Sequence, residues 1–314
     1  MEDNHVSWSE KDIPRQDGRV AVVTGGNGGL GLATATALAS KGAHVVIGAR
    51  NIDKANHATT AILAQTPSAS IEIVPLDLSS QESVQAAAAR VLEQHDRIDL
   101  LINNAGVMAT PEGRTVDGFE TQLGTNHLGH WTWTADLLPA VLAADSGRVV
   151  TVTSVARHQG RNLDPADPFL AGTYSAWRAY GNSKLANLHF AIGLNRLFVE
   201  AGARAKALSG HPGWTDSDLQ TTTHQAGGGG VFGALGGYTT RFFGMSVPRG
   251  ALSQLRAATD PAAVGGTLYG PTFAGFGSPV RRPLIRPGTD EGIRRLWALS
   301  EELTGVPMAV AHAR

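Results

Sequence analysis

Tyr180-Gly181-Asn182-Ser183-Lys184 sets a phenol and an ammonium four residues apart. On a helix, side chains at i and i+4 share a face. A free phenol titrates near pH 10 and is a poor base at neutrality. A neighbouring cation favours the phenolate, so Lys184 is expected to lower the Tyr180 pKa. Tyr180 could then give or take the proton on a substrate oxygen. Alone, this spacing describes a solvated helix face equally well. Two residues upstream keep it company. Ser154 closes the run Thr151-Val152-Thr153 and would bring a hydroxyl to the carboxyl edge of a sheet, where open α/β proteins bind ligands. Its competing reading is a turn or cap. Asn126 lies in a long helical stretch, where an amide costs helix propensity, and its competing reading is a satisfied buried amide.

A second group of residues could hold a nucleotide. Thr24-Gly25-Gly26-Asn27-Gly28-Gly29-Leu30-Gly31 follows an apolar run and precedes a helical one. Glycines let the backbone turn sharply and approach a pyrophosphate, and the helix N-terminus offers free N–H groups to phosphate. Gly26, Gly28 and Gly31 satisfy G-x-G-x-x-G, while Gly25, Gly29 and Gly31 satisfy T-G-x-x-x-G-x-G. A bare glycine-rich turn is the competing reading, and the position between strand and helix counts against it. The second strand runs into Gly48-Ala49-Arg50-Asn51. An acid in this neighbourhood binds the ribose 2′-hydroxyl of NAD, and Arg50 stands there instead. A guanidinium suits a 2′-phosphate. NADP(H) is therefore the favoured cofactor and NAD(H) the alternative. A surface Arg50 paired with an acid such as Asp53 is the plainer reading.

The elements that must position these groups alternate. Strands are expected at Val20–Thr24, Val45–Ile47, Ile71–Leu76, Leu100–Asn103, Val149–Ser154 and Ala205–Leu208. Helices are expected at Leu30–Ser40, Ala55–Gln65, Val84–Gln94, Phe119–Ala143 and Tyr180–Glu200. The pattern predicts an α/β fold, a Rossmann-type doubly wound parallel sheet with helices on both faces, in one domain over 18–314. Residues 1–17 read as an arm, with Trp8 and Ile13 as possible anchors. Gln159–Trp177 reads as an irregular insertion. About 214–247 reads as a substrate lid, because it is glycine-rich yet carries Phe232, Leu235, Tyr238, Phe242 and Phe243.

Taken together, these motifs resemble the short-chain dehydrogenase/reductase family over roughly Gly18 to Gly270. Thr24–Gly31 resembles its cofactor turn. Asp77, in Leu76-Asp77-Leu78, resembles the acid at the adenine. Asn103-Asn104-Ala105-Gly106 resembles its N-N-A-G motif, and Pro212-Gly213 its P-G motif beside the nicotinamide. Asn126, Ser154, Tyr180 and Lys184 match the family's catalytic tetrad. The resemblance implies that Ser154 holds the substrate oxygen and Tyr180 moves its proton. It implies that Lys184 holds the nicotinamide ribose and that Asn126 places a relay water. It further implies cofactor contacts from Gly25, Asn27, Gly28, Gly29, Leu30, Gly31, Arg50, Asp77, Leu78, Asn103, Ala105, Gly106, Tyr180, Lys184, Pro212, Gly213 and Thr215. Thr215 carries over least directly, because members often place this threonine a little later. Gly48–Asn51, Gly124–His130 and Tyr180–Asn187 are similar to the versions in the retinol-dehydrogenase-like branch.

Composition bounds the partners. The chain has 314 residues, a net charge of -1 and no cysteine, which gives no basic field for nucleic acid and no disulfide or thiolate chemistry. No apolar run reaches membrane-spanning length, and the start of the chain does not resemble a signal peptide. A cytoplasmic enzyme acting on a small carbonyl or alcohol, with an apolar substrate, is expected. Trp131, Leu188 and Phe190 on the two long helices suggest a homodimer or homotetramer. His127 and His130 flank Asn126, but no third ligand with metal spacing accompanies them, and no metal site is read. The rival readings are an NAD-dependent dehydrogenase and a non-catalytic nucleotide-binding sensor or scaffold.

Overall fold

The computed structural model describes residues 7–214, 245–284 and 286–310. Strands β1 (Val20–Thr24), β2 (His44–Ala49), β3 (Ser70–Pro75), β4 (Leu100–Asn103), β5 (Arg148–Val152), β6 (Lys206–Gly210), β7 (Leu268–Phe273) and β8 (Phe276–Arg282) form one sheet in the order 3-2-1-4-5-6-7-8. Neighbours pair in parallel from β3 through β7. Strand β8, which lies beyond the six strands read from the sequence, is antiparallel to β7. A two-residue reversal at Ala274-Gly275 needs no crossover helix. The chain order reverses between β1 and β4, which opens a crevice at their carboxyl ends.

Helices cover both faces, as the sequence predicts. Val22, Val46, Val74, Leu101, Val149 and Ala207 pack under α3 (Gln81–Gln94), α5 (Gly129–Ala143), α6 (Ala176–Glu200) and α8 (Thr289–Thr304). The alternate residues Ala21, Val23, Val45, Ile47, Leu100 and Ile102 pack under α1 (Gly29–Ser40), α2 (Ile52–Gln65) and α7 (Val247–Thr259). This is the period-2 consequence of a strand buried on both sides. Trp8 and Ile13 are buried in the second layer.

Two differences from the sequence reading bear on the site. The helix expected over Phe119–Ala143 is divided. A short turn α4 (Thr121–Leu123) leads into a π-helical turn, Gly124–Leu128, and only then into α5. Glu120 starts it by accepting the amides of Gln122 and Leu123 at 2.8 and 2.7 Å. A π turn leaves a local mismatch in the backbone ladder, a form frequent at functional sites. The second difference concerns Trp131, Leu188 and Phe190, which are all buried within the single chain. Trp297 of α8 packs edge-on to Trp131 at 5.1 Å and stacks on Phe190 at 5.8 Å, and the Trp131 indole donates to the Val306 carbonyl. The C-terminal helix thus covers the apolar surface invoked for a subunit contact.

Candidate active site

The turn after β1 decides between the two glycine patterns. Gly25 and Gly29 have φ of +68° and +48°, and a Cβ on Gly31 would lie 2.1 Å from the Gly25 carbonyl oxygen. These three glycines are the ones the backbone requires, and they form T-G-x-x-x-G-x-G. Gly28, by contrast, is an extended N-cap at φ -172°, a conformation open to any residue. No side chain caps α1, so its first amides are unsatisfied within the helix and point at the crevice. Asn27, Gly28 and Gly29 are half-buried there, and the Leu30 side chain is buried.

Arg50 follows β2 and is 73% exposed, with Asp77 as a loose partner at 4.0 Å. The acid proposed from sequence, Asp53, is not the partner in this pairing. Asp77 follows β3, and its other carboxylate oxygen accepts from the Ser79 amide and hydroxyl. An exposed pair at this distance contributes little, so the Arg50 guanidinium can turn to a phosphate at small cost. Leu78 is buried, and its carbonyl lies 2.3 Å from where a Gly129 Cβ would stand.

Asn103 closes β4. Its side chain is fully buried and donates to the Thr134 hydroxyl of α5 at 2.8 Å, so it braces the sheet. Asn104 does the work at the cradle. Its side-chain amide donates to the Thr24 carbonyl, and its backbone amide and that of Ala105 donate to the Thr24 hydroxyl at 3.0 Å. Gln254, reaching over from α7, donates to Asn104 and to Thr34 of α1. Nothing in the sequence pattern marks Gln254, since one glutamine on an amphipathic helix has no motif around it.

Beyond the cradle, the tetrad converges. Asn126 sits in the π turn, fully buried. Its side chain accepts from the Val107 amide at 2.7 Å and donates to the Val107 carbonyl and the Ser183 hydroxyl. A Cβ on Gly106 would lie 2.8 Å from Asn126 Oδ1 and 3.4 Å from Lys184 Nζ, so the absent side chain leaves the gap that these two groups face. Ser154 lies just beyond β5, half-buried, and caps a 3-10 turn by accepting the Ala156 amide. Its expected place inside the strand shifts by two residues, because β5 ends at Val152. Tyr180 and Lys184 are buried on α6, which begins four residues earlier than expected, at Ala176.

The electrostatics differ from the sequence expectation. Burial pushes the Tyr180 phenol up to about 12, with a hydrogen bond from the Ser154 side opposing the rise. Lys184 does not bring it down. Its ammonium lies over the phenol ring, 5.7 Å from the centroid, and donates to the Val152 carbonyl. Burial pulls Lys184 itself down to about 8. Burial shifts both groups toward their neutral forms because neither has water, although Lys184 at about 8 still carries its charge at pH 7.

The rim beside Ser154 is basic. Arg157 donates to the Ser154 carbonyl, and Arg286 donates to the carbonyls of Arg157 and Gly160. Burial, with Arg282 and Arg286 nearby, pulls Arg157 down to about 10. Pro212 and Gly213 follow β6 at the same edge, Gly213 with φ of +74°. Trp214 and Met245 are joined by a backbone hydrogen bond of 2.8 Å. Thr215 and nearly all of the lid expected over 214–247 lie outside the described residues. His127 turns away from the cleft to the Ser300 hydroxyl, and His130 to Thr24. Neither joins a metal-ligand group among the described residues.

The family model for short chain dehydrogenases matches residues 19–227, the span that carries the cradle and the tetrad. The chain belongs to the short-chain dehydrogenase family. Human retinol dehydrogenase 13 is 33% identical over 306 residues, 95% of this chain and 87% of its own, which places the chain in the retinol-dehydrogenase-like branch. An uncharacterised protein from Mycobacterium paratuberculosis has a crystal structure 36% identical in sequence, with a TM-score of 0.77 over 97% of this chain and all of that one. A protein assigned as an NAD(P)-dependent gluconate 5-dehydrogenase from Beutenbergia cavernae, with NADP bound at low occupancy, is 25% identical. Its TM-score is 0.63, over 82% of this chain and 96% of its own. The family consists of oxidoreductases of alcohol and carbonyl groups that bind NAD(P)(H), and the site described above has the parts for that chemistry.

Proposed function

We propose that the protein is an NADP(H)-dependent oxidoreductase that interconverts a carbonyl and an alcohol on an apolar substrate in the cytoplasm. The observation that carries this reading is the meeting of half-buried Ser154 and buried Tyr180 and Lys184 with a glycine turn beside which stands an exposed Arg50, only loosely paired with Asp77. The cradle fits a dinucleotide: only glycine can occupy position 31, and α1 presents uncapped amides. The Gly25–Gly31 turn would hold the pyrophosphate, Arg50 the 2′-phosphate, and Asp77 with the Leu78 backbone the adenine. Asn104–Gly106 and Lys184 would line the nicotinamide ribose, and Pro212-Gly213 the carboxamide. When bound, the nicotinamide supplies or accepts the hydride.

The chain's own residues handle the proton. The Ser154 hydroxyl donates to the substrate carbonyl oxygen and holds it against Tyr180. A phenol whose pKa lies high is protonated at neutral pH, so Tyr180 is ready as the acid for reduction. Oxidation needs the phenolate, which a charged Lys184 would favour. The Asn126 carbonyl already accepts from His130 at 3.0 Å, and its second lone pair is the place for a relay water. Assembly as a homodimer or homotetramer belongs to this reading, with a contact away from the surface that α8 covers.

The test is a panel of apolar and carboxylate-bearing carbonyls and alcohols, assayed with both cofactors by nicotinamide absorbance. Turnover of bulky apolar carbonyls with NADPH is expected. Tight cofactor binding with no turnover across the panel would favour the sensor reading. The basic rim of Arg157, Arg282 and Arg286 favours a second reading, a substrate with an anionic group, and a consistent preference for the carboxylate-bearing compounds would establish it.

A further inference from the structure

His44, Glu72 and His95 stand together at the edge of the sheet opposite the cofactor. His44 opens β2, Glu72 is the third residue of β3, and His95 is the C-cap of α3. In the β2–β3 register Glu72 pairs with Val46, two residues beyond His44, so both side chains leave the sheet on the face that α3 covers. Glu72 Oε2 lies 2.9 Å from His95 Nε2 and 3.5 Å from His44 Nε2, and the two imidazole centroids are 5.1 Å apart. All three ligand atoms fall within 4.8 Å of one another.

We propose that His44, Glu72 and His95 form a binding site for a divalent transition metal of the zinc class. Two ligand atoms about 2.0–2.1 Å from a tetrahedral ion stand about 3.3–3.4 Å apart. The separations of Glu72 Oε2 from the two imidazoles, 2.9 and 3.5 Å, bracket that value. The orientation of His44 is also fixed from outside. Its Nδ1 lies 2.7 Å from the Ser70 hydroxyl, and an Nδ1–H donated there leaves the Nε2 lone pair facing Glu72. That Nε2 is buried and has no hydrogen-bond partner among the described residues. A carboxylate–imidazole pair accounts for His95 and leaves His44 Nε2 only a 3.5 Å approach to Glu72 that falls short of a hydrogen bond, whereas a metal would use it. An oxygen acceptor on the other ring nitrogen fixes the tautomer of a ligating histidine, and the Ser70 hydroxyl can fill that place here. Two neutral imidazoles and one carboxylate suit zinc, cobalt or nickel and are poorly suited to magnesium. The site lies about 20 Å from Arg50, which is six residues beyond His44 along an extended chain, so the ion would clamp β2, β3 and α3 together and take no part in the reaction.

The experiment uses the full-length, untagged protein, stripped with chelator and then titrated with Zn²⁺ or Co²⁺. One equivalent of Co²⁺ should bind with the visible absorption of a nitrogen and oxygen ligand set. Zn²⁺ should raise the thermal midpoint, and Mg²⁺ should leave it unchanged. The double variant His44→Asn, His95→Asn should lose both responses. Ser70→Ala, which keeps all three ligands, should weaken binding by about 10–100-fold. It also guards against misfolding of the double variant. Absence of a one-equivalent site, or Co²⁺ affinity unchanged in Ser70→Ala and in the double variant, would overturn the proposal.

Discussion

The His130 imidazole stands 2.8 Å from the Thr24 hydroxyl, which links α5 to the end of the cofactor strand. Its Nδ1 lies 3.0 Å from the Asn126 carbonyl, so Nδ1–H donates there and Nε2 accepts from Thr24. Burial pulls His130 down to about 4, which keeps this neutral tautomer at physiological pH. One ring therefore ties the π turn to the loop of Asn104 and Ala105. It is a positioning residue. His130→Leu removes both hydrogen bonds and leaves the Thr24 hydroxyl proton only the long contact of 3.4 Å to the Ile102 carbonyl, at a cost of about 1–3 kcal/mol. Its kcat should fall more than KM for substrate changes, and His130→Gln, which can donate and accept, should recover part of the loss. Lower thermal stability with normal kcat would reduce His130 to a core residue.

Arg50 is exposed and bound only loosely to Asp77, so its removal should not disturb the fold. Arg50→Ala should lose about 1.5–3 kcal/mol of NADP(H) affinity, the value of a charge-assisted hydrogen bond, while NAD(H) affinity stays level. Calorimetric titration with both cofactors reads this directly. Equal affinity of the wild type for the two would remove Arg50 from the role.

Much of the site was legible in sequence because its chemistry depends on local patterns. The i, i+4 spacing of Tyr180 and Lys184, and the glycines after β1, survive translation into structure unchanged. What sequence could not convey was long-range. The roles of Gln254 and His130 depend on contacts with residues 220, 150 and 106 positions away, and neither carries a motif. The π turn around Asn126 has helical composition and differs only in its ladder. Strand β8 is mixed in composition and half-exposed, with Gly277 and Pro279 inside it, so neither a period-2 pattern nor a buried run announces it. The phenol's pKa was misjudged because spacing gives proximity of Lys184 but says nothing about the water both groups lose.

Tyr180→Phe removes only the phenolic oxygen and keeps the ring packed edge-on to Trp177 at 6.1 Å. Turnover should fall by about 10²–10⁴-fold, the usual worth of a positioned acid or base, with cofactor affinity unchanged by fluorescence titration. Lys184→Met should lose activity and cofactor affinity together. Its stability should hold or rise, because the folded-state pKa of Lys184, down at about 8, means that the charged form is penalised at neutral pH. That penalty is fully in force below about pH 8 and is relieved as pH rises toward 10.5. A Tyr180→Phe enzyme with a normal rate would exclude the proposed proton transfer.

The last prediction concerns acid stability. Burial pulls His127 and His211 down to about 3, and His130 and His189 to about 4. Each is neutral in the folded state across the range where an unfolded histidine, with a pKa near 6.5, takes up a proton. The folded pKa values are depressed, so the stability they give is fully present above about pH 6.5 and declines as pH falls toward 4. Each histidine contributes a slope of up to about 1.4 kcal/mol per pH unit. Glu120, held above the usual carboxylate range by burial, works in the opposite sense as it takes up its proton. The strongly paired acids Asp17 and Asp290 have lowered values, so they contribute mainly below this window. Urea midpoints measured at pH 7.5, 6.5, 5.5 and 4.5 should therefore be level at first and then drop steeply, and His211→Gln should make the drop shallower. A midpoint that stays constant down to pH 4.5 would mean that these imidazoles are hydrated or paired in solution, and the buried network around His130 would have to be redrawn.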